Sequence, residues 1–386
     1  MMQPRYNFRG IAANDEPFRG LARDISRATT VDEALVAAGW DWTVHKVPYV
    51  MQGKTKSLPS RYFAIVRGDN LHEIAPCSAD YRPIQNRDLM TAFYAAAGTA
   101  GVRLSRSVVL YGGARLYATA EMQASFDLQF DTQGAKSVHL SESQVQGARH
   151  ELDRTILEIV MSTGHEPGVK ARISCRARRL LCENGSALIA NMGSVAVVHR
   201  GRERGAPATF QADNVAAVLR RGLAAFNIYR RQAEILAETP SHPALDRAYV
   251  VQLLDNVAWE AIVAETQARI TSARSTELTG TDLLNAVVEQ TYTTKFETAL
   301  QQRSLAAVLD AIQSQPAADL TRGTLWSTYN GVTYQVDHRA GRNLDAAVES
   351  SLFGGGDHIK HAAMDLALAY AEAAGNPNVR GGKVVH

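Results

Sequence analysis

The most informative run of side chains is Val169-Lys-Ala-Arg-Ile-Ser-Cys-Arg-Ala-Arg-Arg-Leu-Leu-Cys182. Read as a strand, its period of two puts Lys170, Arg172, Ser174, Arg176 and Arg178 on one face and Val169, Ala171, Ile173, Cys175 and Ala177 on the other. Same-face residues stand roughly 6.6 to 6.8 Å apart, a ladder suited to successive phosphates of an extended single strand. Lys and Arg contacts to phosphates give affinity without sequence preference and with a steep salt dependence. A solvated face, or an edge strand guarded by its charges, is the competing reading.

Arg200, Arg202 and Arg204 follow in the same cationic stretch. From Met161 to Arg204 there are eight Lys and Arg against three Asp and Glu. The whole chain carries a formal charge of only +2, so any affinity for polyanions has to come from such local clustering. Tyr62, Tyr81 and Tyr111 lie in the same half and offer faces on which bases stack, as single-strand binders require; a half-buried core role is the alternative for each. His165, in the loop Met161-Ser-Thr-Gly-His-Glu-Pro-Gly168, either donates to a phosphate or braces the turn.

Other constellations are weaker. Cys175 and Cys182 are separated by six residues, too many for the usual zinc spacing, so no metal site is expected with His165 and His199. Three cysteines make no disulfide framework and fit a reducing compartment, with free thiols expected. The chain contains no nucleophile elbow, no phosphate loop ending in Gly-Lys-Ser or Gly-Lys-Thr, no zincin helix and no dinucleotide fingerprint. Gly354-Gly-Gly-Asp-His-Ile-Lys360 reads as a helix start with Asp357 as N-cap, and Asp337-His338 and His361 read as structural. No catalytic residue and no cofactor are assigned. No signal peptide opens the chain, and no run of 18 uncharged apolar residues suggests a membrane span.

The elements that must position these residues fall into two halves. Residues 1–210 hold 26 Lys and Arg against 20 Asp and Glu, and residues 211–386 hold 15 against 19, so the basic part comes first. After a helix at Val31–Ala38 closed by Gly39, β-branched and aromatic runs predict strands at Trp42–Met51, Arg61–Val66, Glu73–Cys77, Leu104–Tyr111, Arg115–Met122, Ser137–Leu140, Thr155–Thr163 and Val169–Cys182. Tyr111-Gly-Gly-Ala114 predicts a hairpin, and a helix over Gln85–Gly98 is expected to cover one meandering antiparallel sheet. From Gln211 onward apolar residues recur at helical spacing, as in Val215, Val218, Leu219, Leu223 and Phe226, and a last amphipathic helix is expected over His358–Ala373. The expected fold class is α+β: a basic β-rich domain at 1–210 that binds single-stranded DNA, then a helical domain at 211–386 for assembly or partner binding.

Several segments together resemble the phage and plasmid-like proteins described as domain of unknown function nine-three-two (DUF932). They are Val31-Asp-Glu-Ala-Leu-Val-Ala-Ala-Gly-Trp-Asp-Trp42, Tyr81-Arg-Pro-Ile-Gln-Asn86, Ser162-Thr-Gly-His-Glu-Pro-Gly168, Arg179-Leu-Leu-Cys-Glu-Asn-Gly185, and Gly323-Thr-Leu-Trp-Ser-Thr-Tyr-Asn330 followed by Asp337-His338. The chain departs from the family at Glu166-Pro167, where Asp-Gly is more usual. The resemblance implies a protein of a phage, prophage or other mobile element acting in the cytoplasm of a bacterial host. The β-rich part is also similar, at fold level, to ring-forming single-strand annealing proteins of the Rad-fifty-two type, which have no catalytic residues.

The expected function is therefore DNA recombination by binding and annealing single-stranded DNA in a basic groove. Lys170, Arg172, Arg176 and Arg178 would grip phosphates, Arg200, Arg202 and Arg204 would extend the surface, and Tyr62, Tyr81 or Tyr111 would support a base. A homo-oligomer, as a ring or helical filament, would lengthen the groove, and the helical half would regulate assembly or meet a host recombination or replication partner. Two alternatives stay open: a metal-dependent nuclease or other DNA-processing enzyme, and an interaction protein that acts on a host factor without touching DNA.

Overall fold

A computed structural model describes residues 20–52, 57–99, 101–131, 134–138, 152–167, 169–180, 185–187, 195–198, 212–255, 259–271, 278–292, 299–316, 318–338, 343–353 and 355–384. The first helix illustrates how local chemistry sets an element. In α1 (Val31–Ala38) the Thr30 hydroxyl accepts the Glu33 N–H at 3.2 Å, and the Glu33 carboxylate reaches back to the Thr29 N–H at 2.8 Å. Gly39 ends it at φ 69° and ψ 32°, a left-handed cap that a Cβ would strain.

The strands are β1 (Arg23–Asp24), β2 (Val44–Gln52), β3 (Ser57–Arg67), β4 (Glu73–Cys77), β5 (Arg103–Leu110), β6 (Arg115–Asp131), β7 (Gly134–Val138), β8 (Leu152–Gly164), β9 (Lys170–Arg179), β10 (Gly185–Ala187) and β11 (Val195–Val198). They form two antiparallel sheets where one was expected. The smaller is β2-β3-β4; the larger runs β1-β5-β6-β8-β9-β10, with β7 also on β6 and β11 also on β9. On the edge of β5 away from β6 stands β1, pairing Arg23 with Ser107 and Asp24 with Arg106, while β4 pairs with β3. The helix α2 (Asn86–Thr99) connects the two sheets. The hairpin between β5 and β6 turns through Tyr111–Ala114, with Gly112 at φ 65° and Gly113 at φ 113°.

After β11 the described residues are mostly helical, as expected: α3 (Ala212–Glu238), α4 (Pro243–Asp255), α5 (Trp259–Thr271), α6 (Gly280–Tyr292), α7 (Ala299–Ser314), α8 (Ala318–Thr321), α9 (Leu325–His338), α10 (Leu344–Phe353) and α11 (Gly355–Ala373), followed by a short antiparallel pair, β12 (Val379–Arg380) and β13 (Lys383–Val384). Asp357 lies in the first turn of α11 and does not cap it. The long helix α3 lies against β9, β7, β6 and β8. Helix α9 is buried at every position and packs against α7, α11 and α3. One hydrophobic core runs through both halves, joining Phe126, Leu157, Ile173 and Cys175 of the sheet to Phe226, Tyr229, Trp326 and Tyr329. No helix among the described residues is long and apolar enough to cross a membrane.

Candidate functional site

The period-two reading of β9 holds. Ala171, Ile173, Cys175 and Ala177 are buried in the core on the side that α3 covers, and Lys170, Arg172, Ser174, Arg176 and Arg178 alternate with them. The cationic side then divides into two parts with different roles.

At its inner end the arginines are structural. Arg176 is 8% exposed and Arg178 4%, and both hold Glu158, which has no exposed surface. Arg176 Nε lies 2.8 Å from Glu158 Oε2, Arg178 Nε lies 2.5 Å from Glu158 Oε1, and Arg178 Nη2 lies 2.5 Å from Glu121 Oε1. Register explains the arrangement. Arg103, Glu121, Glu158 and Arg176 are direct neighbours across β5, β6, β8 and β9. Two carboxylates placed opposite each other repel, and Arg178, one pair further along β9, bridges both. Burial pushes the Glu158 carboxyl up, but Arg176 and Arg178 outweigh it and hold the group below its ordinary range. The expected phosphate grip is therefore corrected at Arg176 and Arg178, because a phosphate would have to displace a buried carboxylate that would then stand uncompensated.

At the outer end Lys170 and Arg172 are exposed, and neither has a carboxylate partner among the described residues. They pair through the backbone with Val198 and Ala196 of β11. Arg200, Arg202 and Arg204 lie outside the described residues.

The aromatic candidates and His165 separate further. Tyr81 is buried and donates its hydroxyl to the His165 carbonyl at 2.9 Å; burial raises its phenol well above the ordinary value. His165 is fully buried, with Nε2 2.8 Å from Asn86 Oδ1 and its ring edge-on to Trp42 at 5.4 Å between centroids. Asn86 Nδ2 in turn donates to the carbonyls of Trp40 and Trp42 at 3.1 and 3.0 Å. Tyr81 and His165 thus brace the junction between the two sheets, which corrects their expected contacts with base and phosphate. Tyr111 is half-buried: its N–H donates to Asp345 at 2.6 Å and its hydroxyl to Glu349 at 3.0 Å, tying the hairpin to α10. Burial, and then Glu349, push its phenol up to about 12. Its backbone N–H and its hydroxyl are thus committed to α10. Tyr62 is 59% exposed, but it sits on β3, in a different sheet from the cations.

A second buried polar knot joins the sheet to the helical half. Asp153 accepts from Arg179 Nε and from the Trp326 indole N–H, both at 2.6 Å, while Gln315 accepts from Arg179 at 3.1 Å and donates to the Ser327 carbonyl at 2.9 Å. Further out, Asp337 and Lys360 form a buried ion pair at 2.5 Å, and His338 lies against Tyr334. Among the described residues no group of three or more His, Cys, Asp or Glu side chains is placed to hold a metal ion.

Sequence reading missed Asn86, Glu121, Glu158, Asp153 and Gln315 as partners. The two glutamates did carry a signal, since both fall on predicted strands. A family model described as Domain of unknown function (DUF932) matches residues 74–353. No curated protein and no solved structure matches the chain.

Proposed function

The chain belongs to the DUF932 family, and from that premise we propose that it is a mobile-element protein that binds single-stranded DNA at the outer end of β9 and promotes its annealing. The observation that carries this reading is the pair Lys170 and Arg172, exposed on one strand face and without carboxylate partners among the described residues. At roughly 6.7 Å apart along the strand they match neighbouring phosphates of an extended chain. In the sequence, β11 ends at Val198 opposite Lys170, and Arg200, Arg202 and Arg204 come next. Two cations engage few nucleotides, so side-by-side copies in a ring or filament would supply a groove of useful length. The setting is the cytoplasm of a bacterial host, and no cofactor is required.

The interaction-protein reading has its own support. Arg176, Arg178, Tyr81, Tyr111 and His165, five of the eleven candidate residues, are engaged in internal bonds.

Titration of a fluorescent oligothymidylate across a salt series, with particle mass measured by light scattering, separates the two. The proposal expects binding that weakens with salt and a mass that grows with the oligonucleotide. Lys170→Ala with Arg172→Ala should flatten the slope by about 1.4, at about 0.7 per lost phosphate contact on single strands. An unchanged slope sinks the proposal, and absence of binding at low salt favours the interaction reading.

A further inference from the structure

We propose that an apolar cleft with an acidic rim, between α1 and the first turn of α2, is the docking site of the chain's own N-terminal segment Pro4-Arg-Tyr-Asn-Phe-Arg9. The cleft has a volume of about 310 Å³ and forms where the stretches Val31–Trp42 and Tyr81–Asn86 meet. That lies at the small end of ligand pockets and suits side chains of a peptide better than a cofactor. Leu35, Val36 and Trp40 supply apolar wall, and Val36 is 64% exposed.

Charge selects the occupant. Three carboxylates line the cleft, Asp32, Asp41 and Asp88, against one cation, Arg87. Arg87 pairs with Asp32, and both are exposed. Asp41 and Asp88 form no ion pair among the described residues. They attract a basic segment and repel phosphate, so this surface is separate from Lys170 and Arg172. The wall adds an unmet donor. Trp40 is fully buried and its indole N–H has no hydrogen-bond partner, whereas that of Trp42 donates to the Gly39 carbonyl at 3.0 Å. A buried donor left without an acceptor is costly, and a main-chain carbonyl of an entering segment is a natural acceptor.

The chain carries a segment of matching chemistry. From Gln3 to Ile11 there is no Asp or Glu, and Arg5 and Arg9 bracket Tyr6 and Phe8. In an extended segment the two aromatic side chains fall on one face, while the arginines flank them on long stems that reach outward to a rim. The segment also joins the described residues close by. Strand β1 lies beside α1, and the Arg23 guanidinium lies against Gly39, the residue before Trp40. The ten residues between Arg9 and Gly20 span up to roughly 33–36 Å when extended, ample for the return. A segment tethered this near meets its site at a local concentration on the order of millimolar, which favours the cleft of its own copy over that of a neighbour.

Fluorescence polarisation of a labelled peptide of residues 3–11, titrated with the full chain, tests the proposal. In the wild type the resident segment competes with the peptide. Tyr6→Ala with Phe8→Ala in the chain vacates the cleft and should bind the peptide about tenfold or more tighter than the wild type does, since aromatic anchors dominate such contacts. Adding Asp41→Lys, at an exposed position, should weaken that binding by about tenfold, because like charges are then juxtaposed. A peptide with Arg5→Glu and Arg9→Glu should prefer the Asp41→Lys chain. Equal binding by the wild type and the Tyr6→Ala, Phe8→Ala chain, binding by neither, or indifference to Asp41→Lys overturns the proposal. Light scattering should give one particle mass for the wild type and the Tyr6→Ala, Phe8→Ala chain; a lower mass in the variant would place the segment on a neighbouring copy and overturn the intramolecular seating.

Discussion

Trp326 donates its indole N–H to Asp153 at 2.6 Å, although 173 residues separate them in the chain. The other oxygen of the same carboxylate holds Arg179, and all three groups are buried. The bond therefore fastens α9 of the helical half to β8 of the sheet. Removing the donor leaves part of a buried carboxylate unsatisfied, so Trp326→Phe should cost about 1–3 kcal/mol. Asp153→Asn, which leaves Arg179 without a countercharge, should cost about 3–5 kcal/mol. Urea unfolding followed by far-ultraviolet circular dichroism measures both, and equal small losses would mean that the ion pair is not what orders the knot.

Glu158 makes the fold acid-sensitive. Its carboxyl is held below its ordinary value in the folded chain because Arg176 and Arg178 outweigh the effect of burial. A folded-state value below the unfolded one means that the stabilisation is fully present above the unfolded value, near 4.5, and fades as the pH falls through the folded value. Stability measured between pH 7 and pH 3 should therefore drop on the acid side, and Glu158→Gln should flatten that drop while lowering stability at pH 7. An acid limb identical in wild type and Glu158→Gln would remove Glu158 as its cause.

Local signals were legible and long-range ones were not. Gly39 closes α1 as its chemistry dictates, the glycines of the hairpin take the positive φ that the turn needs, and β9 alternates as its sequence does. Each is a property of a few consecutive residues. What sequence could not supply is register: nothing local says that Glu158 stands opposite Arg176 and next to Glu121, so a run of arginines looked like a free rail when half of it was already paired. The same holds for Tyr81 and His165, whose partners come from 79 to 84 residues away. The second sheet was hidden for a related reason, since strand pairing is long-range and β1, which pairs with β5, has only two residues and carries no strand signature.

The junction between the sheets gives a test that separates structure from ligand binding. Tyr81→Phe removes one hydrogen bond to the His165 carbonyl and should cost about 0.5–1.5 kcal/mol. Asn86→Ala should cost more, about 2 kcal/mol or above, because the carbonyls of Trp40 and Trp42 and the His165 ring each lose a partner. Thermal melts report both. Since Tyr81 is buried, Tyr81→Phe should leave oligonucleotide affinity and its salt slope unchanged, and a weakened affinity at full stability would return Tyr81 to the binding surface.

Gly222 and Cys175 set how closely α3 approaches the sheet. A Cβ at Gly222 would lie 2.3 Å from Cys175 Sγ and 2.9 Å from its Cβ, closer than side chains pack. In an exposed helix, replacing glycine by alanine stabilises by about 1 kcal/mol. Here Gly222→Ala should instead destabilise by about 1–3 kcal/mol, as overpacking does. Cys175→Ala removes the sulfur, so the double variant should recover part of the loss, with a coupling of about 0.5–3 kcal/mol in a double-mutant cycle. Thiol chemistry gives an independent reading. Burial pushes the Cys175 thiol up to about 12, so at pH 8 the folded chain holds it protonated and shielded, and iodoacetamide should label it only after unfolding. In Gly222→Ala the helix must lift from β9, and labelling of Cys175, followed by peptide mass spectrometry, should quicken under native conditions. Simple additivity of the two substitutions together with unchanged labelling would show that the sheet yields in some other way and that the glycine does not set the distance.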